Sequence, residues 1–334
     1  MLDIQKVSLK DYTSLRIGGE ADLVCIGTED SLCEAHTYAM SRGLHMHILG
    51  LGTNSFFKDA LLQKLILKME IQGLDSRMEN DKVFVTIGAG VIWDDVVTYA
   101  VTNGYWGIEN LSYIPGTVGA APVQNIGAYG MELKDTLVSV RVYDTTTLDF
   151  KELSNEECHF GYRDSVFKNE KGRYVVTAIT LKLSTISQPV LTYKPLDALV
   201  NKELITLTEI RDVVIKTRTQ KLPDYNVYPN AGSFFKNTII TKEEGERLRV
   251  MYENIPLHET NGGYKVPTAW MIENVAEMKG VRVQDIGTWP LQPLVLVNYG
   301  SATFEDILAF SSMIVRRIEE KTGIYIEREV NFVE

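Results

Sequence analysis

Hydrophobic and polar positions along this chain switch repeatedly between helical and strand-like spacing. Residues 30–42 read as a helix, and Gly43 is placed to terminate it. Residues 44–49 read as a strand that runs into Gly50-Leu51-Gly52-Thr53-Asn54-Ser55. Residues 65–69 and 83–87 read as strands, and residues 91–103 as a helix ending at Gly104. Residues 138–143 and 174–183 are strand-like and rich in β-branched side chains. The first 185 residues are thus mixed α/β, in two parts joined near residues 58–64. The pattern breaks at residues 184–193. Helical spacing resumes at residues 207–219, followed by a Gly/Asn/Phe-rich turn at 230–237 and helices at 242–253 and 268–275. A helix at 304–322 and a strand at 324–330 close the chain. No internal repeat or low-complexity segment interrupts this order.

Length sets the scale: 334 residues suffice for two or three compact domains. The 45% apolar and 23% charged content is ordinary for a globular protein. No apolar run approaches the roughly 18–20 residues that cross a bilayer. The N-terminus lacks the basic-then-apolar pattern of a signal peptide, so a cytoplasmic location is expected, with no membrane partner. A formal charge of −10 argues against sequence-independent nucleic-acid binding. It leaves room for a small anionic ligand held by a local cluster of Lys and Arg. Cys25, Cys33 and Cys158 are too few and too scattered for a disulfide framework or a zinc site, and are expected to be reduced and mostly buried. The five histidines show no metal-ligand spacing, and His45 and His47 read as one polar face of a short strand.

Two glycine loops carry the candidate chemistry. The first, Gly50 to Ser55, follows a strand, and its glycines would let backbone approach a phosphate. It fails the Gly-x-Gly-x-x-Gly fingerprint because Ser55 stands where the third glycine belongs, which excludes a nicotinamide-type Rossmann domain. The second runs Ile114-Pro115-Gly116-Thr117-Val118-Gly119-Ala120-Ala121-Pro122-Val123-Gln124-Asn125-Ile126-Gly127-Ala128-Tyr129-Gly130. Four glycines in seventeen residues suit neither a core helix nor a core strand, but they let backbone lie flush against a flat or charged ligand. The amides of Gln124 and Asn125 could read a ring edge.

Pro115-Gly116-Thr117-Val118-Gly119 followed by Gln124-Asn125-Ile126-Gly127-Ala128-Tyr129-Gly130 resembles the flavin loop of the UDP-N-acetylenolpyruvoylglucosamine reductase family. Further matching segments are Thr13-Ser14-Leu15-Arg16-Ile17-Gly18-Gly19, the loop at Gly50, Gly161-Tyr162-Arg163-Asp164-Ser165, Lys221-Leu222-Pro223-Asp224, Asn230-Ala231-Gly232-Ser233-Phe234-Phe235-Lys236-Asn237 and Glu327-Arg328-Glu329-Val330. The resemblance covers essentially the whole chain. It implies a vanillyl-alcohol-oxidase-like (PCMH-type) FAD-binding fold of two subdomains, residues 1–64 and 65–188, and a C-terminal α/β substrate-binding domain at 189–334 whose last strand returns to the active site. Contacts to FAD are expected from Gly50, Leu51, Gly52, Thr53, Asn54, Ser55, Pro115, Gly116, Thr117, Gly119, Ala120, Ala121, Gln124, Asn125, Gly127, Ala128 and Tyr129. Neither loop holds a histidine or cysteine, so the FAD is expected to be non-covalent.

The same resemblance implies NADPH as hydride-donating co-substrate and a UDP-sugar as substrate, in a monomer. It assigns Ser233 as proton donor, with Arg163 and Glu329 stabilising the enolate-like intermediate. Guanidinium suits a developing carboxylate charge because it is planar, always charged and forked. Tyr162, Tyr193, Lys221, Asn237, Lys265 and Gln292 are the implied substrate contacts, and the segment around Tyr193 marks the family's first type, which carries a mobile tyrosine loop. Two other readings stay open from sequence: an FAD oxidase of the same fold, and a non-catalytic flavin or UDP-sugar binder.

Overall fold

The computed structural model describes residues 2–333. The chain forms two compact units, neither continuous in sequence. The first comprises Met1–Val7, Ala21–Gly52 and Leu62–Arg218, and the second comprises Ser8–Glu20, Thr53–Leu61 and Thr219–Glu334.

The first unit is built on two sheets. In one, strand Lys64–Met69 lies between Glu20–Ile26 and His45–Leu49, parallel to both. The helix Glu29–Arg42 links two of these parallel strands, as a crossover must. Its start is capped by the Thr28 hydroxyl, which accepts from Ser31 N, and its end by Gly43 at φ +64°. The second sheet is antiparallel in the order Asp149–Ser154, Leu137–Asp144, Tyr174–Ser184, Lys82–Gly88, Leu74–Glu79. Val83, Val85, Ile87, Val140, Val142 and Ile179 point from it into a core shared with the helix Trp93–Thr102.

The second unit has an antiparallel sheet of Asn230–Ser233, Gln292–Asn298, Ile286–Trp289 and Arg282–Val283, and a three-stranded sheet centred on Gly263–Val266. The helix Phe304–Thr322 supplies Phe304, Ile307, Phe310, Ile314 and Ile318 to its core. Among the described residues, no helix is long and apolar enough to cross a membrane.

The expected domain boundaries shift. Residues 189–218 stay with the first unit, because Leu196, Leu199, Leu207, Ile210 and Val214 bury against Trp106. Segments 8–20 and 53–61 join the second, because Leu15, Ile17 and Phe56 belong to its core. The closing strand also moves. Ile324, Ile326 and Val330 are buried as the alternating pattern requires, yet residues 324–330 form only the isolated bridge Phe235–Arg328. The strand proper is Asn331–Val333, parallel to Ser55–Phe57. Of the cysteines only Cys158 is buried. Cys25 is exposed because it faces outward between the inward-facing Val24 and Ile26. His47 is not on a solvated face either: burial, helped by Lys64, lowers its pKa to about 4.

Candidate active site

In the first unit the two glycine loops meet at Gly50. A Cβ there would lie 2.5 Å from the Thr117 hydroxyl oxygen, so only glycine lets the strand end reach the second loop. That second loop is held by its own backbone. Ala120 N donates to Thr117 O at 3.0 Å, Ala121 N to Val118 O at 3.1 Å, and Ile126 N to Ala121 O at 3.1 Å. Gly119 N donates to Ala89 O at 2.9 Å, and a Cβ on Gly119 would come within 2.6 Å of the Ala89 Cβ. The N–H groups of Gly119, Ala120 and Ala121 are therefore already bonded to protein carbonyls.

Asn125 departs from the expected reading. It is fully buried, at φ +45°. Its amide nitrogen donates to Glu132 Oε2 at 2.8 Å and Gly161 O at 3.1 Å, while its oxygen accepts from Lys134 N at 3.1 Å. All these bonds lie within the protein, so the side chain staples the loop instead of reading a ring edge. The hydroxyl and amide side chains remaining in residues 50–55 and 115–129 are Thr53, Asn54, Ser55, Thr117, Gln124 and Tyr129, with no carboxylate, histidine or cysteine. This neutral donor set fits a flavin bearing a diphosphate and gives it no covalent tether.

Arg163 is bound to the same loop. It occupies the left-handed region at φ +54°, and its Nη2 donates to Gly127 O at 2.9 Å. Its guanidinium carbon lies 5.8 Å from the ring centre of Tyr162, and Lys168 Nζ donates to its carbonyl at 3.0 Å. Tyr193 is exposed and meets Tyr129 edge-on, ring centres 6.3 Å apart. Asn110 joins these pieces, its amide donating to Tyr129 O at 2.8 Å and Val190 O at 2.9 Å.

Sequence reasoning misses Arg218. It projects from the helix Leu207–Lys221 and donates Nε to Tyr113 O at 3.1 Å, just ahead of the flavin loop. Burial lowers its pKa, opposed by Tyr129 and Asp94 nearby. An arginine remains charged under such a shift, so it is a half-buried cation beside the loop. Two turns earlier, Arg211 forks onto Asp94 with both bonds at 2.8 Å. Nothing in the sequence sets either apart, and only their partners distinguish them.

In the second unit, Ser233 ends the strand Asn230–Ser233, where Gly232 adopts φ +67° and a register shift separates the Asn230–Val297 and Ser233–Val295 pairs. The bulge re-aims the serine. Phe234 N donates to Leu294 O and Phe234 O accepts from Glu329 N, both at 2.8 Å. The backbone of Glu329 is therefore hydrogen-bonded to the residue after Ser233. The Glu329 side chain is nearly buried. Asn54, expected at the flavin, donates its amide to Glu329 O at 3.4 Å, and its carbonyl accepts from Asn331 N at 3.0 Å.

The other expected substrate contacts spread over this unit. Lys221 is exposed at the helix end. Asn237 caps a helix: its side-chain oxygen accepts from Thr268 N at 3.1 Å. Lys265 lies on the central strand of the three-stranded sheet, paired with Ile239 and His258. Gln292 opens the strand Gln292–Asn298, its oxygen accepting from Leu294 N at 3.4 Å.

Residues 21–147 match the FAD binding domain family, and residues 223–333 match the C-terminal domain of UDP-N-acetylenolpyruvoylglucosamine reductase. The UDP-N-acetylenolpyruvoylglucosamine reductase of Aliivibrio fischeri is 39% identical over 327 residues, covering 97% of this chain and 93% of that protein. The protein of the same name from Alcanivorax borkumensis is 41% identical over 289 residues, 85% of this chain and 83% of that one. A crystal structure of the Thermus caldophilus UDP-N-acetylenolpyruvylglucosamine reductase aligns over 100% of both chains with a TM-score of 0.72 at 25% identity. The order of folded parts, the flavin-type glycine loops and the sequence likeness along almost the full length agree, and the chain belongs to the UDP-N-acetylenolpyruvoylglucosamine reductase family.

Proposed function

We infer that this chain is an FAD-dependent, NADPH-linked oxidoreductase that reduces UDP-N-acetylenolpyruvoylglucosamine to UDP-N-acetylmuramate, a peptidoglycan precursor. FAD, which the glycine loops would hold, would supply the hydride chemistry between NADPH and the vinyl ether. The protein must hold the substrate, stabilise the charge that spreads onto the carboxylate, and deliver a proton to the carbon beside it. Arg163 suits the second task, as a fixed cation tied to Gly127 O of the flavin loop. Ser233 suits the third. A serine hydroxyl is a weak acid, so it serves only when aimed at a strong transient base such as this carbanion. Glu329 assists beside it. Tyr193 and Lys221 suit the diphosphate, the one by a hydroxyl and the other by a point charge.

The observation that carries this reading is the bond from Glu329 N to Phe234 O, which sets the two acid residues on adjoining backbone. Ser233→Ala tests it. NADPH should still bleach the flavin at a near-normal rate in stopped flow. Reoxidation by the enolpyruvyl substrate should slow by about 10²–10⁴-fold, the usual worth of one general acid. Reoxidation at the wild-type rate would remove Ser233 from the mechanism.

A further inference from the structure

Arg328 stands immediately before Glu329 and, in an extended segment, projects to the opposite side. Its Nε donates to Ser311 Oγ at 3.0 Å and its Nη2 to Ser312 Oγ at 2.7 Å. Both serines sit on the long helix Phe304–Thr322, and Ser311 is fully buried. The Ser311 hydroxyl donates onward to Leu308 O at 3.0 Å, which leaves its lone pairs turned to the arginine. The guanidinium carbon also lies 5.7 Å from the ring centre of Phe332.

The backbone explains why such an anchor is needed. Residues 327–329 run beside residues 234–236 with few ladder bonds: Lys236 N to Glu327 O at 3.1 Å, the Phe235–Arg328 bridge, and Glu329 N to Phe234 O at 2.8 Å. A slip of one residue would exchange the faces of Arg328 and Glu329, because side chains alternate along extended backbone. These contacts, with the partly exposed Lys236–Glu327 ion pair and the long bond from the Asn54 amide to Glu329 O, form no regular strand on this segment and resist such a slip weakly. A forked side chain gripping two consecutive serines of a rigid helix resists it strongly, because its geometry admits one register only.

We propose that Arg328 is a positioning residue for Glu329: its fork onto Ser311 and Ser312 pins the register of residues 327–329 and so aims the Glu329 carboxyl. The proposal rests on the reading that Glu329 assists the protonation step. It adds a device that lies behind the acid residues.

The test uses the FAD-loaded enzyme and follows bleaching by NADPH and reoxidation by the enolpyruvyl substrate separately. Arg328→Met keeps the bulk of the side chain and removes the fork, while Ser312→Ala removes one half-buried bond with little risk to folding. Arg328→Met should slow reoxidation about ten- to hundredfold, the scale of a misplacement near 1 Å, and leave bleaching within about twofold. Ser312→Ala should show the same split, more weakly, and Arg328→Lys should recover part of the loss. In a Glu329→Gln background, Arg328→Met should cost nothing further, because there is no carboxyl left to aim. Wild-type reoxidation in Arg328→Met beside a slow Glu329→Gln overturns the proposal, as does an undiminished Arg328→Met cost in the Glu329→Gln background. Wild-type reoxidation in Glu329→Gln itself removes the reading beneath it, and the proposal with it.

Discussion

The flavin loop of residues 115–130 and the serine turn of residues 230–237 both owe their shape to glycine, yet they differ in how much of their bonding is their own. The flavin loop carries a set of bonds of its own, through Thr117, Val118 and Ala121 carbonyls and the buried amide of Asn125, beside others that tie it to Ala89, Gly161 and Arg163. The serine turn is held from far along the chain: Leu294 on one side of Phe234, Glu329 on the other, and behind Glu329 the Arg328 fork. Bonds within a loop keep part of its shape through changes elsewhere in the fold. A turn assembled from remote segments transmits displacements of those segments to Ser233. The flavin loop thus carries part of its own shape, whereas the geometry at Ser233 is set largely by other elements.

Asn125→Ala strikes the first region hardest. It leaves Glu132, Gly161 O and Lys134 N without their bonds to that amide. With each buried group left unsatisfied costing about 1–3 kcal/mol, the expected loss is on the order of 3–5 kcal/mol. Calorimetry should show a fall in Tm of roughly 10 °C, and flavin should dissociate during gel filtration. A variant that keeps its FAD and its Tm would show that the loop does not depend on its staple.

The first unit also carries a pH-dependent contribution from His47. Its pKa is lowered by burial to about 4, whereas an unfolded histidine titrates near 6.5. Protons therefore favour the unfolded chain between these values. The stabilisation from keeping His47 neutral is fully present above about pH 6.5 and diminishes as the pH falls toward 4, by about 3 kcal/mol at most. Urea titrations at pH 7 and pH 4.5 should reveal this slope, and His47→Gln should flatten it. An identical slope in the variant would assign the acid sensitivity to other groups.

Tyr193 and Lys221 are the two expected grips on the diphosphate. Lys221→Ala loses a charged hydrogen bond worth about 1.5–3 kcal/mol, so the substrate KM should rise about ten- to hundredfold. Tyr193→Phe should raise it less, and neither should slow bleaching by NADPH. Unchanged KM values in both would place the diphosphate elsewhere.

The smallest effect separates the two regions most cleanly. A Cβ on Gly232 meets no atom within 4 Å, so Gly232→Ala suffers from its φ of +67° alone, a strain of about 1–2 kcal/mol. Bleaching should be normal and reoxidation slowed several-fold, with Asn at 232 slowed less because Asn tolerates this region. Equal slowing of both half-reactions would mean that the strain spreads beyond the serine.

Much of the fold is legible in the order of residues alone. Helices 30–42, 207–219 and 304–322 lie within a few residues of Glu29–Arg42, Leu207–Lys221 and Phe304–Thr322, because their caps and apolar spacing are local properties. The closing strand falls in the wrong place because alternation records which side chains are buried, and Ile324, Ile326 and Val330 are buried without a ladder to pair with. Asn125 reads as a ligand contact because its amide chemistry is visible in sequence while its partners are not. Arg218 and Arg328 escape notice for the converse reason, since a charged side chain in a helix or beside a strand carries no mark of what it will touch.

Residue type and short spacing suffice for the mixed α/β class, the two glycine loops, the lack of histidine and cysteine in those loops, and the family likeness. Tertiary structure alone puts segments 8–20 and 53–61 with the C-terminal unit, sets Asn54 against the backbone of Glu329, and bonds Glu329 to the backbone next to Ser233. These pairings join residues far apart in the chain. Their free energy comes from burying Leu15, Ile17, Phe56 and Phe234 in one core, a gain that exists only after the chain has folded.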